Sequence, residues 1–325
     1  MNFYGLPKIL SFSLHGQHFE RLFPCIGEGK KEVRMLIEKG VWKGHDRSDL
    51  ENGVLRIPEE VREIDLRALH KSMFAHCGGG KQYELFVDPK NPVYYSAGNC
   101  MIERESGKVI FGTAKSKLPQ DGSVQTIGIG AFAWCDFGDV DIEIPASVKD
   151  VEPCAFYGDW GIRELCFSVG VRSIGDFALS ATWIKSIRFS ETVEHIGFCD
   201  LPDTVSELTV DERNPWFYTE DHCLIRREDQ ALLALAGSAV EIPDGVKSVA
   251  PFACATGSIP TRLVVIPDTV IQIENDVMPN ALLSLMYGKT IRGSKGQKLK
   301  KRGNFYFHGE GADPLAIIKA HKNSY

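Results

Sequence analysis

The chain has 325 residues, 43% of them hydrophobic and 25% charged, with a net charge of −6. That balance suits one elongated or two compact globular units, and 43 acidic residues against 37 basic ones argue against a polyanion binder as a whole. No apolar run approaches the ~18–20 residues that cross a bilayer as a helix.

The first stretch, MNFYGLPKILSFSLHGQHFERLF, is mildly apolar but lacks a basic segment, a clean apolar core and a small-residue cleavage site. It does not read as a secretory signal. Nine cysteines, none in CxxC spacing, read as reduced thiols, so a cytoplasmic location is expected unless a leader has been removed. Within residues 1–52, which carry no repeat, Lys30–Lys39 (KKEVRMLIEK) places Val33, Leu36 and Ile37 at helical spacing, and Gly40 stops it. This predicts a small helical N-terminal cap or flanking segment.

From residue 53 one phrase keeps returning: an alternating apolar stretch often ending in Ile-Pro, then a Val, then an apolar residue and a Phe. It begins at Ile57-Pro58 with Val61 and Ile64. Ile142-Glu143-Ile144-Pro145 follows with Val148, Val151 and Phe156. Leu165-Cys166-Phe167 leads to Val171, Ile174 and Phe177; Ile187-Arg188-Phe189 leads to Val193, Ile196 and Phe198. Ile242-Pro243 and Ile266-Pro267 carry Val246 and Val270. Val148 and Val171 lie 23 residues apart, Val171 and Val193 22, and Val246 and Val270 24. Such spacing falls in the roughly 20–29-residue range of leucine-rich repeats. Each coil buries only a thin apolar strip, and stacking joins the strips into one core.

A longer duplication at an offset of 123 pairs Asp88 with Asp211, Asn91 with Asn214, Pro92 with Pro215, Tyr95 with Tyr218, Cys100 with Cys223, Ile102 with Ile225 and Arg104 with Arg227. It reads as an expanded, hairpin-like coil used twice. The Asp and Asn residues before Pro suit turns that fix a loop through side-chain-to-backbone bonds.

The phrases IPASVKDVEPCAF, IPDGVKSVAPFA and VDPKNPVYYSAGNCMIERESGKVIFG resemble BspA-like leucine-rich-repeat proteins of bacteria, over about residues 53–307. The resemblance implies a β-rich solenoid, a right-handed superhelix of short parallel strands of the α/β leucine-rich-repeat class. It divides the chain into 1–52, a solenoid at 53–288 and a C-terminal cap at 289–325. Residues 289–302 hold seven basic residues and no acidic one and read as a solvated cap helix.

Alternation in the strands points Ile142, Ile144, Leu165, Phe167, Ile187 and Phe189 inward. The residues between them, Asp141, Glu143, Glu164, Cys166, Ser186, Arg188, Glu207 and Thr209, then form an outward ladder, either plain solvated sheet or a binding surface. Phe132, Phe156, Phe177, Phe198 and Phe252 recur at one phase and predict a stacked core spine. Trp160 and Trp183, like Trp134, read equally as core plugs or as exposed contact aromatics.

Chemistry-bearing patterns are sparse. His15 with His18, and His70 and His76 with Cys77, complete no zinc site. Gly78-Gly79-Gly80 before Lys81 lacks a strand–loop–helix frame for phosphate. No cofactor, metal or catalytic residue is expected, nor a nucleic-acid partner. The reading is a non-catalytic scaffold for a protein or peptide of unknown identity. The resemblance adds a cell-surface adhesin as an alternative, and a loop-borne enzyme site on the expanded coils is a third possibility.

Overall fold

A computed structural model describes residues 36–69 (except 46 and 67), 81–237 (except 200, 202 and 203), 242–250, and short pieces at 253–254, 265–267, 269–270, 272–273, 292–293 and 300–301. The chain enters through β1 (Leu36–Glu38) and turns back into β2 (Val41–Gly44), with which it pairs antiparallel. The turn residues Lys39 and Gly40 both have positive φ, 52° and 79°, as a two-residue hairpin turn requires. The helix read over Lys30–Lys39 is therefore corrected where it is described: Leu36–Glu38 is strand, and residues 30–35 lie outside the described residues. The cause is Trp42, which is fully buried and pairs with Ile64 in a parallel ladder. Burying that indole outweighs a local helical spacing.

Next come the hairpin β3 (Leu50–Glu51) and β4 (Val54–Ile57), then β5 (Glu63–Ile64) and β6 (Glu84–Val87). The last runs parallel to β4 in unbroken register. An antiparallel meander follows: β7 (Tyr94–Ala97), β8 (Cys100–Glu103) and β9 (Lys108–Gly112). Regular coils then alternate a short rear strand with a longer front strand. These are β10 (Thr126–Ile127), β11 (Asp136–Ile144), β12 (Asp150–Val151), β13 (Trp160–Phe167), β14 (Ser173–Ile174), β15 (Ser186–Phe189), β16 (His195–Ile196) and β17 (Glu207–Val210). The meander recurs as β18 (Phe217–Glu220), β19 (Cys223–Arg226) and β20 (Ala231–Leu235). Further pieces are β21 (Ser248–Val249), β22 (Val265–Ile266), β23 (Gln272–Ile273), β24 (Arg292–Gly293) and β25 (Lys300–Lys301).

Two parallel sheets face each other across the coils. The front one runs β11-β13-β15-β17, and the rear one passes from β9 through β10, β12 and β14 to β16. Between them Val124, Val148, Val171 and Val193 are completely buried, each Val side chain contributing about 1.5–3 kcal/mol on burial. The chain is a β-solenoid, and the α/β expectation is corrected for its regular coils: α-helical backbone among the described residues is confined to Leu66, Ala68 and Leu69, and none of it lies in the coils from residue 113 to 210. The segment that would hold a helix carries paired left-handed residues in successive coils: Gly130 and Trp134, Cys154 and Gly158, Phe177 and Ala181. Positive φ every fourth residue cannot continue a right-handed helix. The basic tract at 289–302 shows strand where it is described: β24 pairs with β22 and β25 with β23.

The aromatic spine is corrected in its register. Phe132 and Phe156 stack in the core, centroids 5.3 Å apart and planes 15° apart. The amide of Phe156, however, bonds the carbonyl of Ala178, so the next coil offers Leu179 at that place. Phe177 packs beside Cys154 in a small separate cluster, against Phe198 at 6.1 Å. Phe177 stands two positions earlier in its coil than Phe156 does in the coil before it, on the other side of the turn. Phe252 lies outside the described residues. A second stack, Phe167 on Phe189 at 5.3 Å, lines the front sheet from within.

The 123-residue duplication reaches down to individual bonds. Buried Asn91 donates through Nδ2 to the carbonyls of Pro58 and Val61, and its Oδ1 accepts from the amides of Val93 and Tyr94. Asn214 does the same with Ser190, Val193, Trp216 and Phe217, at 2.8–2.9 Å. Arg104 and Arg227 then bond the Asn91 and Asn214 carbonyls through Nε and lie over Tyr95 and Tyr218. Each Asn thus ties the coil before it to the meander after it. Asn214→Ala strands these groups in the interior and is expected to lower the unfolding free energy by about 3 kcal/mol. Denaturant titration reads the change, and a loss below roughly 1 kcal/mol contradicts the clamp.

Candidate functional site

The front sheet brings the eight outward residues together in two rows. Strand register aligns Asp141 with Glu164, Glu164 with Ser186 and Ser186 with Glu207. A second row runs Glu143, Cys166, Arg188, Thr209. Inward-facing Leu165, Phe167, Ile187 and Phe189 are buried beneath, so the pleat alone fixes the rows.

The ladder is less acidic than its residues imply, because cations bridge it. Arg188 Nη2 lies 2.5 Å from Glu164 Oε1. Arg163 Nη2 lies 2.5 Å from Asp141 Oδ2, and Lys185 Nζ 3.7 Å from Asp139 Oδ1. Ser168 donates to Glu143 Oε1 at 3.0 Å. Asp141 holds the Arg163 guanidinium above its ordinary pKa. Such exposed pairs add little to stability; their effect is to order the polar face.

Arg163 was not legible as a surface partner. The register slips between Val140 and Asp141, which face Ile162 and Glu164, and leaves Arg163 as the extra residue of a β-bulge. Gly138 and Gly161, both at φ 74°, permit it. A Cβ on Gly161 would sit 2.4 Å from the Gly138 amide nitrogen. This pair of glycines is the one sequence signal that marks the bulge.

At the N-terminal end of the strands, Trp160 is 46% and Trp183 62% exposed, with ring centroids 6.4 Å apart. Their amides bond the carbonyls of Cys135 and Asp159 in the coil before each. Both are therefore surface residues, whereas Trp134 packs edge-on against Tyr157. At the opposite end an open trough of about 750 Å³ is lined by Cys166, Val169, Arg188, Thr209, Asp211 and Arg213 among others. The trough shares Glu143, Cys166, Arg188 and Thr209 with the ladder.

Titratable groups inside the coils are sealed. The seven described cysteines are free thiols. Burial raises Cys100 to about 12 and also raises Cys135. On the ladder, desolvation raises Cys166, so its thiolate is suppressed. Asp159 is completely buried. Its Oδ1 accepts the Cys135 amide at 2.8 Å, its Oδ2 takes no hydrogen bond, and desolvation holds the carboxyl well above its ordinary value. Among the described residues no group of His, Cys, Asp and Glu is arranged to hold a metal ion. His15, His18, His70, His76, Cys77 and Gly78-Gly79-Gly80 lie outside the described residues. No described helix is long and apolar enough to cross a membrane.

Stacked parallel coils with buried Val and Ile at a 22–24-residue spacing define a leucine-rich-repeat solenoid. More particularly, residues 113–200 match the BspA type leucine rich repeat region in six copies. Among solved structures the chain is similar to a leucine-rich repeat protein from Eubacterium ventriosum, with 18% identity, 48% of this chain and 50% of that one covered, and a TM-score of 0.40. It is also similar to the pneumococcal vaccine antigen PcpA (14% identity, 56% and 55% covered, TM-score 0.29). A leucine rich cell surface protein from Faecalibacterium prausnitzii matches at 16% identity, with 68% and 56% covered and a TM-score of 0.27. The matched part thus spans about half the length of these proteins. No curated protein matches the chain.

Gly161→Ala forces a left-handed alanine against the Gly138 backbone and is expected to cost about 2 kcal/mol. Thermal unfolding checks it, and an unchanged midpoint contradicts the bulge. For Asp159 the sign follows from its raised folded pKa: above pH ~4 the unfolded chain ionises this group more readily than the folded chain does. Native stability therefore falls as pH rises from that point. Asp159→Asn keeps the acceptor for Cys135 and is expected to gain stability relative to the native chain between pH 4 and 7. Paired denaturant titrations across that range test it, and parallel pH profiles contradict it.

Proposed function

We propose that the front face binds a protein or peptide partner and that the protein is a non-catalytic scaffold. The observation that carries this is the pair of exposed tryptophans on adjacent coils, 46% and 62% accessible, beside the charge-paired ladder. Tryptophans are enriched among the few residues that dominate binding energies, and an exposed aromatic pair rimmed by polar groups marks interaction surfaces. The strands beneath hold the face rigid, so little ordering entropy opposes binding. Raised thiol pKa values and an interior acid without solvent access support a non-catalytic role.

The test starts from a partner recovered on the intact chain by affinity capture and confirmed with purified components. Trp160→Ala with Trp183→Ala is expected to weaken binding by about 100-fold, equivalent to ~2.7 kcal/mol, while leaving the unfolding midpoint unchanged. Undiminished affinity in this folded variant, measured by titration calorimetry, refutes the assignment of the face.

A further inference from the structure

The front sheet is open at one side. β11 is its edge strand and pairs only with β13. The preceding coil brings residues 113–118 alongside this open side, yet that segment bonds backward and not to β11. The Ala114 amide donates to Lys81 O at 3.0 Å and the Lys117 amide to Gly98 O at 2.8 Å. The Ser116 hydroxyl donates to Asn99 O at 2.7 Å. Between this segment and β11 lies a trough of about 410 Å³, bridged by the Gln120 side chain, which donates to the Glu143 carbonyl at 3.3 Å.

That bond shows which backbone groups face the trough. In a parallel ladder the N–H and C=O of one residue point to the same side, and successive residues alternate. The Glu143 carbonyl points into the trough, so the Glu143 amide and both backbone groups of Asp141 do so too. Among the described residues none of these three has a hydrogen-bond partner within the fold. The trough floor is apolar, with Leu118, Phe137 and Ile142 below and Val140 38% exposed at its side. Its banks carry Lys115, paired with Glu84, and Lys117 on one side, and Asp141, paired with Arg163, and Glu143 on the other.

We propose that this open edge receives an extended segment of a partner protein, which adds a strand beside β11. A free strand edge is matched only by another extended backbone. Alternate side chains of that segment fall on the apolar floor, so it carries alternating apolar and polar residues. Its outward polar groups, of either sign, meet an opposite charge at Lys117 or Glu143. The proposal rests on reading the front face as a binding surface, but it uses backbone groups rather than the tryptophans, so the two fail separately.

The probe is a capped, fluorescently labelled heptapeptide copying Lys185–Glu191 (KSIRFSE), whose Ile and Phe alternate with polar residues. Anisotropy with the full chain is expected to show saturable binding. N-methylation at alternate amides of one parity should weaken it about tenfold or more, while the other parity is tolerated. Val140→Arg and Leu118→Arg should each weaken it similarly, and the Trp160→Ala, Trp183→Ala chain should bind as the native chain does. No saturable binding, or equal sensitivity to both methylation parities, overturns the proposal. So does dimerisation of the chain alone, seen by light scattering and abolished by Val140→Arg, because the edge then belongs to a second copy. Loss of peptide binding only in the tryptophan variant also overturns it and leaves the front-face reading intact.

Discussion

No regular coil of this protein can satisfy its own backbone. Strands such as β10, β12, β14 and β16 are two residues long, and each finds its parallel partner in the coil before or after it. Buried peptide groups must be paired, so a coil exists as ordered structure only inside a stack. The inward Val and Ile residues add the apolar gain that offsets the ordering of the chain. Everything on the surface inherits its spacing from this dependence, including the rows of the ladder and the two tryptophans. The solenoid then behaves as a chain of coupled neighbours rather than a single globule.

The two meanders punctuate that chain. At each, a buried asparagine replaces backbone pairing with side-chain bonds to carbonyls on one side and amides on the other. An arginine on the next strand bonds the asparagine's carbonyl and covers a tyrosine ring. Such a fully satisfied polar site specifies one register, because any slip leaves several buried groups without partners. Beyond the bulge at Arg163, the regular coils between the clamps keep the front strands in register from Asp141 onward.

What was legible in the sequence depended on residue type recurring at a fixed distance. The buried valines and the outward ladder follow from alternation and the 22–24-residue period, and the Asp-Asn-Pro duplication is visible as letters. Features set by a residue's exact seat in the coil or by a local slip of register were not visible. Phe177 looks equivalent to Phe156, but hydrogen bonding aligns it with Cys154. Arg163 reaches Asp141 only because the bulge at Gly138 and Gly161 turns two consecutive residues outward. The helical spacing gives way to strand at Leu36–Glu38 beside the buried indole of Trp42, a tertiary effect with no local trace. Exposure of Trp160 and Trp183 depended on their seat at the strand entrances, which spacing alone left undecided.

On the proposed reading, the front face combines a polar ladder, an aromatic pair and an open strand edge. The measurement that tests this account most directly is the amide hydrogen-exchange footprint of a purified partner on the intact chain. Slowed exchange is expected along β11, β13, β15 and β17 and around Trp183, with the rear strands β10, β12, β14 and β16 unchanged. A footprint confined to the rear strands, with the front sheet exchanging as in the free chain, would contradict it.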